Sequence, residues 1–301
     1  MYKPCISIIV PIHNGERTIA NCLTSILNQS FDASNYEVIV VDDFSSDGTE
    51  YIVKQLQNYH HNLRYYKNPK RGVSTARNLG ISFSKGKFIG FVDQDIIAEK
   101  EWISKMYEYY KKYPNLMGVS GTTINAYPNN IYPRVSQDLA NNHLQTSITL
   151  PTSNCSYRKE AVISAGGFPE EVIYGNEDAE LSCRIFKLGF KTLRNEAIYV
   201  EHYRTTSLKG FLKQAYFYGY TDYWCKTTHP DLFDTNNIFT YLYHSIKRLK
   251  SNLFLLDLKN DRRFAPLDLL CRSMYIAAYG IGALTSILHR VVLDKYPAHM
   301  K

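Results

Sequence analysis

The stretch FIGFVDQDIIAEK, Phe88 to Lys100, joins an apolar run directly to two acids one residue apart, Asp93 and Asp95. Its first residues have the composition of a buried strand. A buried strand that ends in two carboxylates is unfavourable unless a cation or a hydrogen-bond donor compensates their charge. Alternation along an extended chain points both acids to the same side. The stretch therefore predicts a strand whose end faces a positive group.

Two more apolar runs, CISIIVPI (5–12) and YEVIVVDD (36–43), have the same strand character, and each precedes a segment with apolar residues at helical spacing. A further strand is expected at Leu63–Lys67, before a helix that ends near Gly86. This alternation predicts an α/β fold with a mostly parallel sheet flanked by helices on both faces.

Acidic residues stand at two of these predicted strand ends. Asp42 and Asp43 close the second run, and Asp93 and Asp95 close the run that begins at Phe88. Because ligands of such sheets bind at the carboxyl ends of the strands, we expect both pairs to line one cleft. The simplest partner for Asp93 and Asp95 is a divalent metal that holds a polyphosphate, although Asp-x-Asp triplets also occur as solvated loop acids.

The remaining elements are expected as a helix at Trp102–Tyr113, a strand in LMGVSGTTI (116–124) and a helix in NEDAELSCRIFKLGF (176–190). After the aromatic cluster at 216–224, which favours packing, the chain becomes basic and increasingly apolar. We therefore predict a main domain at 1–228 and a helical C-terminal extension at 229–301.

The sequence NEDAELSCRIFKLGF also indicates the apolar face of this helix and the residue at which it ends. Leu181, Ile185 and Leu188 are spaced to share one face, and Gly189 is placed to end the helix.

Composition excludes several classes of protein. The 301 residues are 45% hydrophobic and 21% charged, as in folded globular chains and unlike disordered ones. The 6 cysteines are scattered without a zinc spacing or a dense disulfide framework, which favours the reducing cytoplasm. The first apolar run is interrupted by Pro11 and His13, so it resembles a strand more than a secretion signal.

The basic charge is concentrated at the end of the chain. Residues 241–301 hold ten Lys or Arg and four Asp, which is +6 of the net +7. The uncharged run Ser273–His289 is shorter than the roughly 20 apolar residues of a spanning helix. It fits a helix lying at the inner face of the cell membrane, a helix packed on the main domain, or a dimer contact. No nucleic-acid recognition motif accompanies the charge.

Six motifs, in order, carry a resemblance to a known family: SIIVPIHNGERTIANCLTSILNQS, YEVIVVDDFSSDGT, RGVSTARNLGI, FIGFVDQD, NCSYRKEAVISAGGFPE and YGNEDAELSCRIFKLGFKT. Over about Ile6 to Tyr220 the chain resembles glycosyltransferase family 2. The resemblance implies a GT-A fold, a nucleotide-sugar donor, a divalent cation (Mn²⁺ or Mg²⁺) and inversion at the anomeric carbon.

The resemblance also implies roles for single residues near the nucleotide. Those expected to line its pocket are Pro11, His13, Asn14, Glu16, Asp43, Gly72, Arg77, Asp93 and Gln94. The family usually has tyrosine where His13 stands. Asp43 is expected to accept from a base N–H, which favours uracil, unless it merely caps the next turn. Arg77 is expected at the phosphates, with a surface ion pair as the alternative.

The resemblance further assigns Asp93 to the ribose, and Asp95 and His202 to the metal. For His202 a structural role is the alternative. Asn154 and Arg158 resemble positions bordering the donor sugar, although packing explains them equally well.

A general base is expected at the start of the helix in NEDAELSCRIFKLGF, where the resemblance places the catalytic aspartate at Asp178, with Glu177 as the alternative. Acids in a first helical turn also favour the helix dipole without any catalysis.

The sequence thus predicts a metal-dependent, inverting glycosyltransferase of the hexosyltransferase type that uses a UDP-sugar. Its partners are expected to be a nucleotide-sugar and a glycan or lipid-linked acceptor in polysaccharide or glycoconjugate biosynthesis, with peripheral membrane contact. The alternatives are a nucleotidyltransferase and a catalytically silent sugar-nucleotide binder or scaffold. The silent binder explains DQD but not NED.

Overall fold

The structure is a computed structural model, and it describes residues 4–127, 129–136, 149–171, 175–204, 207–229, 231–232 and 265–295. The chain forms two compact units. Unit 1 comprises residues 1–126, 146–173 and 177–204, and unit 2 comprises residues 127–145, 174–176 and 205–301. The predicted domain boundary between residues 228 and 229 stays a prediction.

The described strands of unit 1 form one eight-stranded sheet in the order β3-β2-β1-β4-β7-β6-β8-β5. Its strands are β1 (Ile6–Ile12), β2 (Tyr36–Asp42), β3 (Leu63–Lys67), β4 (Phe88–Phe91), β5 (Ile96–Ala98), β6 (Leu116–Asn125), β7 (Cys155–Arg158) and β8 (Lys191–His202). Strands β1 to β4 are mutually parallel, as are β6 and β8, whereas β7 and β5 run antiparallel to their neighbours. The predicted α/β fold with a mostly parallel sheet is confirmed.

Within unit 1, helices flank this sheet and follow its strands along the chain: α1 (Ile19–Leu27), α2 (Thr49–Gln57), α3 (Val73–Phe83), α4 (Trp102–Lys112), α5 (Lys159–Ser164) and α6 (Glu177–Lys187). The long helices α7 (Leu208–Thr228) and α8 (Ala265–Lys295) belong to unit 2.

The core of unit 1 lies on both faces of the sheet. Every residue of β1 and of β2 is buried, as expected for parallel strands covered on both sides. On one face Ile8 and Val10 pack with residues of α1, α2 and α4, including Trp102. On the other face Ile9 and Phe91 pack with residues of α3, α5 and α6. Packing between these two layers of helices fixes the positions of the strand ends that carry the acids.

Helix ends differ from the predictions in detail. Helix α3 ends at Phe83, three residues before the predicted end near Gly86. Gly189 closes α6 as predicted, with φ 78° and its N–H donating to the carbonyl of Phe186. Leu181 and Ile185 are buried, whereas Leu188, expected on the same face, is exposed. It lies beyond the last residue of the helix.

Unit 2 contains a core between α7 and α8. Phe211 and Ala215 from α7 pack against Cys271, Tyr275 and Tyr279 from α8. The two backbones approach closely at glycines: a Cβ on Gly219 would lie 1.9 Å from the carbonyl oxygen of Tyr279, and one on Gly282 would lie 1.8 Å from that of Tyr216. Among the helices in the described ranges, none is both long enough and apolar enough to cross a bilayer.

Candidate active site

The acids after β4 meet a histidine from the far end of the sheet. Strands β5 and β8 pair with Ile96 opposite His202, which places this histidine beside Asp95. Nε2 of His202 lies 2.9 Å from Oδ1 of Asp95, and the backbone N–H of Tyr203 donates to the Asp95 carbonyl at 2.7 Å. Burial of Asp95 acts to raise its pKa, but His202, with a contribution from Arg204, lowers the pKa below its usual value. Asp95 is therefore held ionised.

Three of the predicted residues could hold a divalent metal. One ligand atom each from Asp93, Asp95 and His202 lies within 4.8 Å of the others. Carboxylate oxygens suit Mg²⁺ and Mn²⁺, and an imidazole nitrogen is an acceptable further ligand for Mn²⁺. The donor set present in the described chain therefore fits the cation that the sequence predicted.

Arg77 joins these acids to the start of α6. Its guanidinium is buried, with 3% of the side chain exposed, and donates to Oε1 of Glu177 at 2.6 Å and to Oδ1 of Asp93 at 3.3 Å. It also lies 5.3 Å from the ring centre of Phe168. Burial acts to lower the pKa of Arg77, but the charges of Glu177 and Asp93 raise it above its usual value. Contact of Arg77 with a phosphate stays a prediction, whereas its contact with two acids is observed.

Asp178 lies at the amino end of α6, next to Glu177. Its Oδ1 accepts from the N–H of Ala179 at 2.8 Å and its Oδ2 accepts from the N–H of Thr152 at 3.3 Å. Burial, and then the charge of Glu177, raise the pKa of Asp178 to about 6, although Arg77 and the two N–H donors act in the opposite direction. A carboxyl with a pKa of this kind is suited to accepting a proton near neutral pH.

The loops after β1 and β2 are joined by hydrogen bonds. Nδ1 of His13 lies 2.8 Å from the carbonyl oxygen of Asp43, and the N–H of Asn14 donates to Oγ of Ser45 at 2.9 Å. The carboxylate of Glu16 accepts from the N–H of Gly48 at 2.9 Å. These contacts bring three of the predicted pocket residues, His13, Asn14 and Glu16, together with Asp43. Pro11 is buried within β1.

Gln94 lies between Asp93 and Asp95 in the chain and bonds to the loop after β1. Its Oε1 accepts from the N–H of His13 at 2.7 Å, and its Nε2 donates to the carbonyl of His13 at 3.2 Å. The side chain between Asp93 and Asp95 therefore holds the β1 loop beside the predicted metal ligands.

The carboxylate of Asp43 is fixed from the side of α3. The N–H of Gly72 donates to both of its oxygens, at 2.9 and 3.1 Å, and Nδ2 of Asn68 donates at 2.8 Å. Gly72 has φ 140°, a backbone conformation that is unfavourable for any residue with a Cβ atom. Sequence reasoning missed Asn68, because only the fold brings the end of β3 beside Asp43.

Asn154 and Arg158 are packing residues. Asn154 is fully buried and its Oδ1 accepts from Nε1 of Trp102 at 2.7 Å. Nε of Arg158 donates to the carbonyl of Leu116 at 2.8 Å, and Arg158 pairs with Phe88, the first residue of β4. It therefore lies at the opposite end of β4 from Asp93. Of the two interpretations of these residues, the structure favours packing.

Comparisons with known proteins show the family of the chain. The family model described as Glycosyl transferase family 2 matches residues 7–167. A Methanococcus voltae protein, dolichyl N-acetyl-alpha-D-glucosaminyl phosphate 3-beta-D-2,3-diacetamido-2,3-dideoxy-beta-D-glucuronosyltransferase, is 30% identical over 243 residues, which cover 71% of this chain and 71% of that protein.

Two solved structures share the fold. Mannosyltransferase PcManGT from Pyrobaculum calidifontis, in complex with GDP-Man and Mn²⁺, aligns with a TM-score of 0.63 at 17% identity, over 99% of this chain and 82% of that chain. S. aureus TarS 1-349, in complex with UDP-GlcNAc, aligns with a TM-score of 0.55 at 19% identity, over 94% and 92%. The architecture is therefore the one found in these two proteins.

Proposed function

The chain belongs to glycosyltransferase family 2, and from this premise we propose that it transfers a sugar, with inversion, from a UDP-sugar to a hydroxyl of a glycan or lipid-linked acceptor. The observation that carries the proposal is the clustering of Asp93, Asp95 and His202, connected through Arg77 to the amino end of α6. The cluster suits a cation and a diphosphate, and the helix end supplies a base.

The residues divide the chemistry between donor and acceptor. A divalent cation held by Asp93, Asp95 and His202 would supply positive charge to the diphosphate of the donor. Asp178 accepts the proton of the acceptor hydroxyl. The hydroxyl oxygen then bonds to the anomeric carbon while the bond from that carbon to the phosphate oxygen breaks, and the nucleoside diphosphate leaves with the electron pair. A single displacement of this kind inverts the anomeric centre.

Asp178 is the better candidate for the base than Glu177. The carboxylate of Glu177 is buried and its Oε1 accepts from Arg77 at 2.6 Å, which holds this side chain in an ion pair. Asp178 accepts from two backbone N–H groups, those of Thr152 and Ala179, and its pKa is raised to about 6. At pH 7 to 8 Asp178 is therefore ionised, and its pKa lies close enough to the working pH to suit a general base.

The comparisons support the classes of donor and acceptor. TarS was solved with UDP-GlcNAc, and the name of the Methanococcus protein specifies a dolichyl phosphate-linked sugar. In this chain the Asp43 carboxylate is fixed beside the β1 loop, where a uracil N–H would find an acceptor. A UDP-sugar and a lipid-linked glycan are therefore the first donor and acceptor to test.

The test identifies the group that the donor releases, which distinguishes the candidate activities. The purified full chain is incubated with UDP-sugars, Mn²⁺ and a lipid-linked acceptor, and UDP, pyrophosphate and the product mass are followed. We expect UDP release that is lost in Asp95→Asn and Asp178→Asn but kept in Asp32→Asn, a matched change at an exposed acid. Pyrophosphate release would indicate a nucleotidyltransferase, and donor binding without turnover would indicate a silent binder.

We also propose that α8 contacts an anionic lipid surface. Its exposed apolar residues Leu270, Ala277, Ile281, Leu284 and Leu288, here called the outer face, recur along one side of the helix, and Ser273 is the exposed polar residue among those described there. The preceding residues 241–263 hold six Lys or Arg and two Asp. An apolar helix face that a basic segment precedes in the sequence fits acidic headgroups better than it fits a second, equally basic copy of this chain.

A further inference from the structure

Phe44 has a backbone conformation that a bulky residue rarely adopts. Its φ is 64°, in the left-handed region, and 52% of its side chain is exposed. Both features are unfavourable, because the conformation crowds the Cβ atom and the exposed ring orders water. A strained residue of this kind persists where its surroundings hold it, and such residues cluster at functional sites.

The surroundings of Phe44 hold it in this conformation. On its amino side the carbonyl of Asp43 is bonded to the ring of His13 at 2.8 Å, and on its carboxyl side Oγ of Ser45 accepts from Asn14 at 2.9 Å. The N–H of Ser46 donates to Oδ1 of Asn14 at 2.9 Å. Asn14 also has a positive φ, 49°. The loop that carries His13 and Asn14 is thus hydrogen-bonded to the residues on both sides of Phe44 in the chain.

The polar groups beside Phe44 are already engaged in this junction. The imidazole of His13 uses Nδ1 for the Asp43 carbonyl and Nε2 for the side chain of Asn14, at 3.2 Å. The Asp43 carboxylate is held by Gly72 and Asn68. The phenyl ring of Phe44 is the large apolar surface that this junction leaves in solvent.

We infer that the ring of Phe44 is the face on which the base of the donor nucleotide stacks. The inference rests on the proposed function, because it needs a nucleotide beside Asp43. The Asp43 carboxylate accepts a hydrogen bond from the edge of the base, and the Phe44 ring stacks against the face of the base. Covering the ring on binding removes apolar surface from water, and a left-handed backbone already fixed by the loops adds no ordering cost at that step.

The test separates the base from the diphosphate. Binding of UDP and of inorganic pyrophosphate, each with Mn²⁺, is measured by calorimetry on the full chain and on variants at residue 44. Stacking of a base on an aromatic ring predicts that Phe44→Gly and Phe44→Leu weaken UDP binding by about 5- to 100-fold. Phe44→Tyr keeps the affinity, and pyrophosphate binding is unchanged in all three variants.

Two controls keep the outcomes distinct. Tyr59→Ala removes another exposed aromatic ring, 82% exposed in the turn after α2, and should leave UDP binding unchanged. Phe44→Gly suits the positive φ, so its melting temperature should equal or exceed that of the wild type. Equal UDP affinity in Phe44→Gly and the wild type overturns the stacking inference alone. A wild-type chain that binds neither UDP nor pyrophosphate contradicts the proposed function itself.

Discussion

Four carboxylates lie in the site, and they have three kinds of partner. Asp95 is bonded to His202, Asp93 and Glu177 share the guanidinium of Arg77, and Asp178 accepts from backbone N–H groups. The pKa of Asp95 is lowered while that of Asp178 is raised to about 6. Environments that separate the pKa values of neighbouring acids suit different roles, here metal ligand and base.

The raised pKa of Asp178 predicts a stability effect with a definite sign. Its folded-state value of about 6 exceeds the usual 3.8, so protonation favours folding and the ionised form is destabilising. This penalty is absent below about pH 4 and complete above about pH 6. In the metal-free protein at pH 7.5, Asp178→Asn should raise the free energy of unfolding by about 1–3 kcal/mol. Urea unfolding at pH 7.5 and at pH 4 measures it; an equal difference at both would contradict the raised pKa.

Removing the charge of Arg77 should lower the stability of the protein, whereas removing that of Asp178 should raise it. Arg77→Met leaves Glu177 buried without its cation, which should destabilise the protein by about 3–5 kcal/mol. The double variant Arg77→Met, Glu177→Gln should recover a large part of that loss, because the uncompensated charge is gone. A double-mutant cycle in urea is the measurement. Additive effects of the two changes would show that the contact between Arg77 and Glu177 contributes little.

At the scale of elements, the position of Arg77 depends on how closely α3 lies on the sheet. A Cβ built on Gly80, one turn after Arg77, would lie 2.6 Å from Cγ2 of Ile9 in β1. The glycine therefore lets α3 approach β1, although glycine within a helix is otherwise unfavourable. The close approach sets the distance from α3 to Asp93 and Glu177.

Alanine at two helical glycines should therefore have opposite effects. Gly80→Ala forces α3 away from Ile9 and should destabilise the protein by about 1–3 kcal/mol, with a loss of transfer activity. Gly280→Ala in α8, where a Cβ meets nothing within 4 Å, should stabilise the protein by up to about 1 kcal/mol. Thermal unfolding and transfer assays compare the two. Stabilisation by Gly80→Ala would refute the close-approach argument.

The elements recognisable from sequence are those with a local signal. The buried runs of β1, β2 and β4 and the caps of α6 could be found because apolar continuity and capping residues lie within a few positions. The short strands β5 and β7 and the long β8 lack such signals, since their pairing depends on residues distant in sequence. His202 was found through the family resemblance, but its contact with Asp95 requires the β5–β8 pairing. The bridge made by Arg77 was missed for the same reason, since Glu177 lies 100 residues away.

At the scale of the whole molecule, basic charge concentrates towards the end of the chain, where α8 also exposes apolar side chains. The sequence predicted a basic, apolar C-terminal region, and the structure adds that one face of α8 exposes apolar side chains, Leu284 at 50% and Leu288 at 64% among them. Sequence hydropathy alone does not distinguish this face from the one buried against α7.

Membrane contact through that face is tested by flotation. With vesicles containing acidic phospholipid, the wild-type chain should float, whereas Leu284→Lys, Leu288→Lys should not, because two ammonium groups replace its apolar contact. Ile163→Lys changes an equally exposed residue on α5 and should float like the wild type. Neutral vesicles and high salt should both weaken binding. Flotation of the Leu284→Lys, Leu288→Lys protein to the wild-type extent would exclude the outer face as the lipid contact.

The most direct test of the account is the position of a metal in crystals soaked with Mn²⁺ and UDP. We predict an anomalous peak bound by Asp93, Asp95 and His202, with the diphosphate oxygens of UDP completing its coordination and the uracil beside Asp43 and Phe44. A manganese peak at another place, or UDP bound away from these residues, would contradict the account.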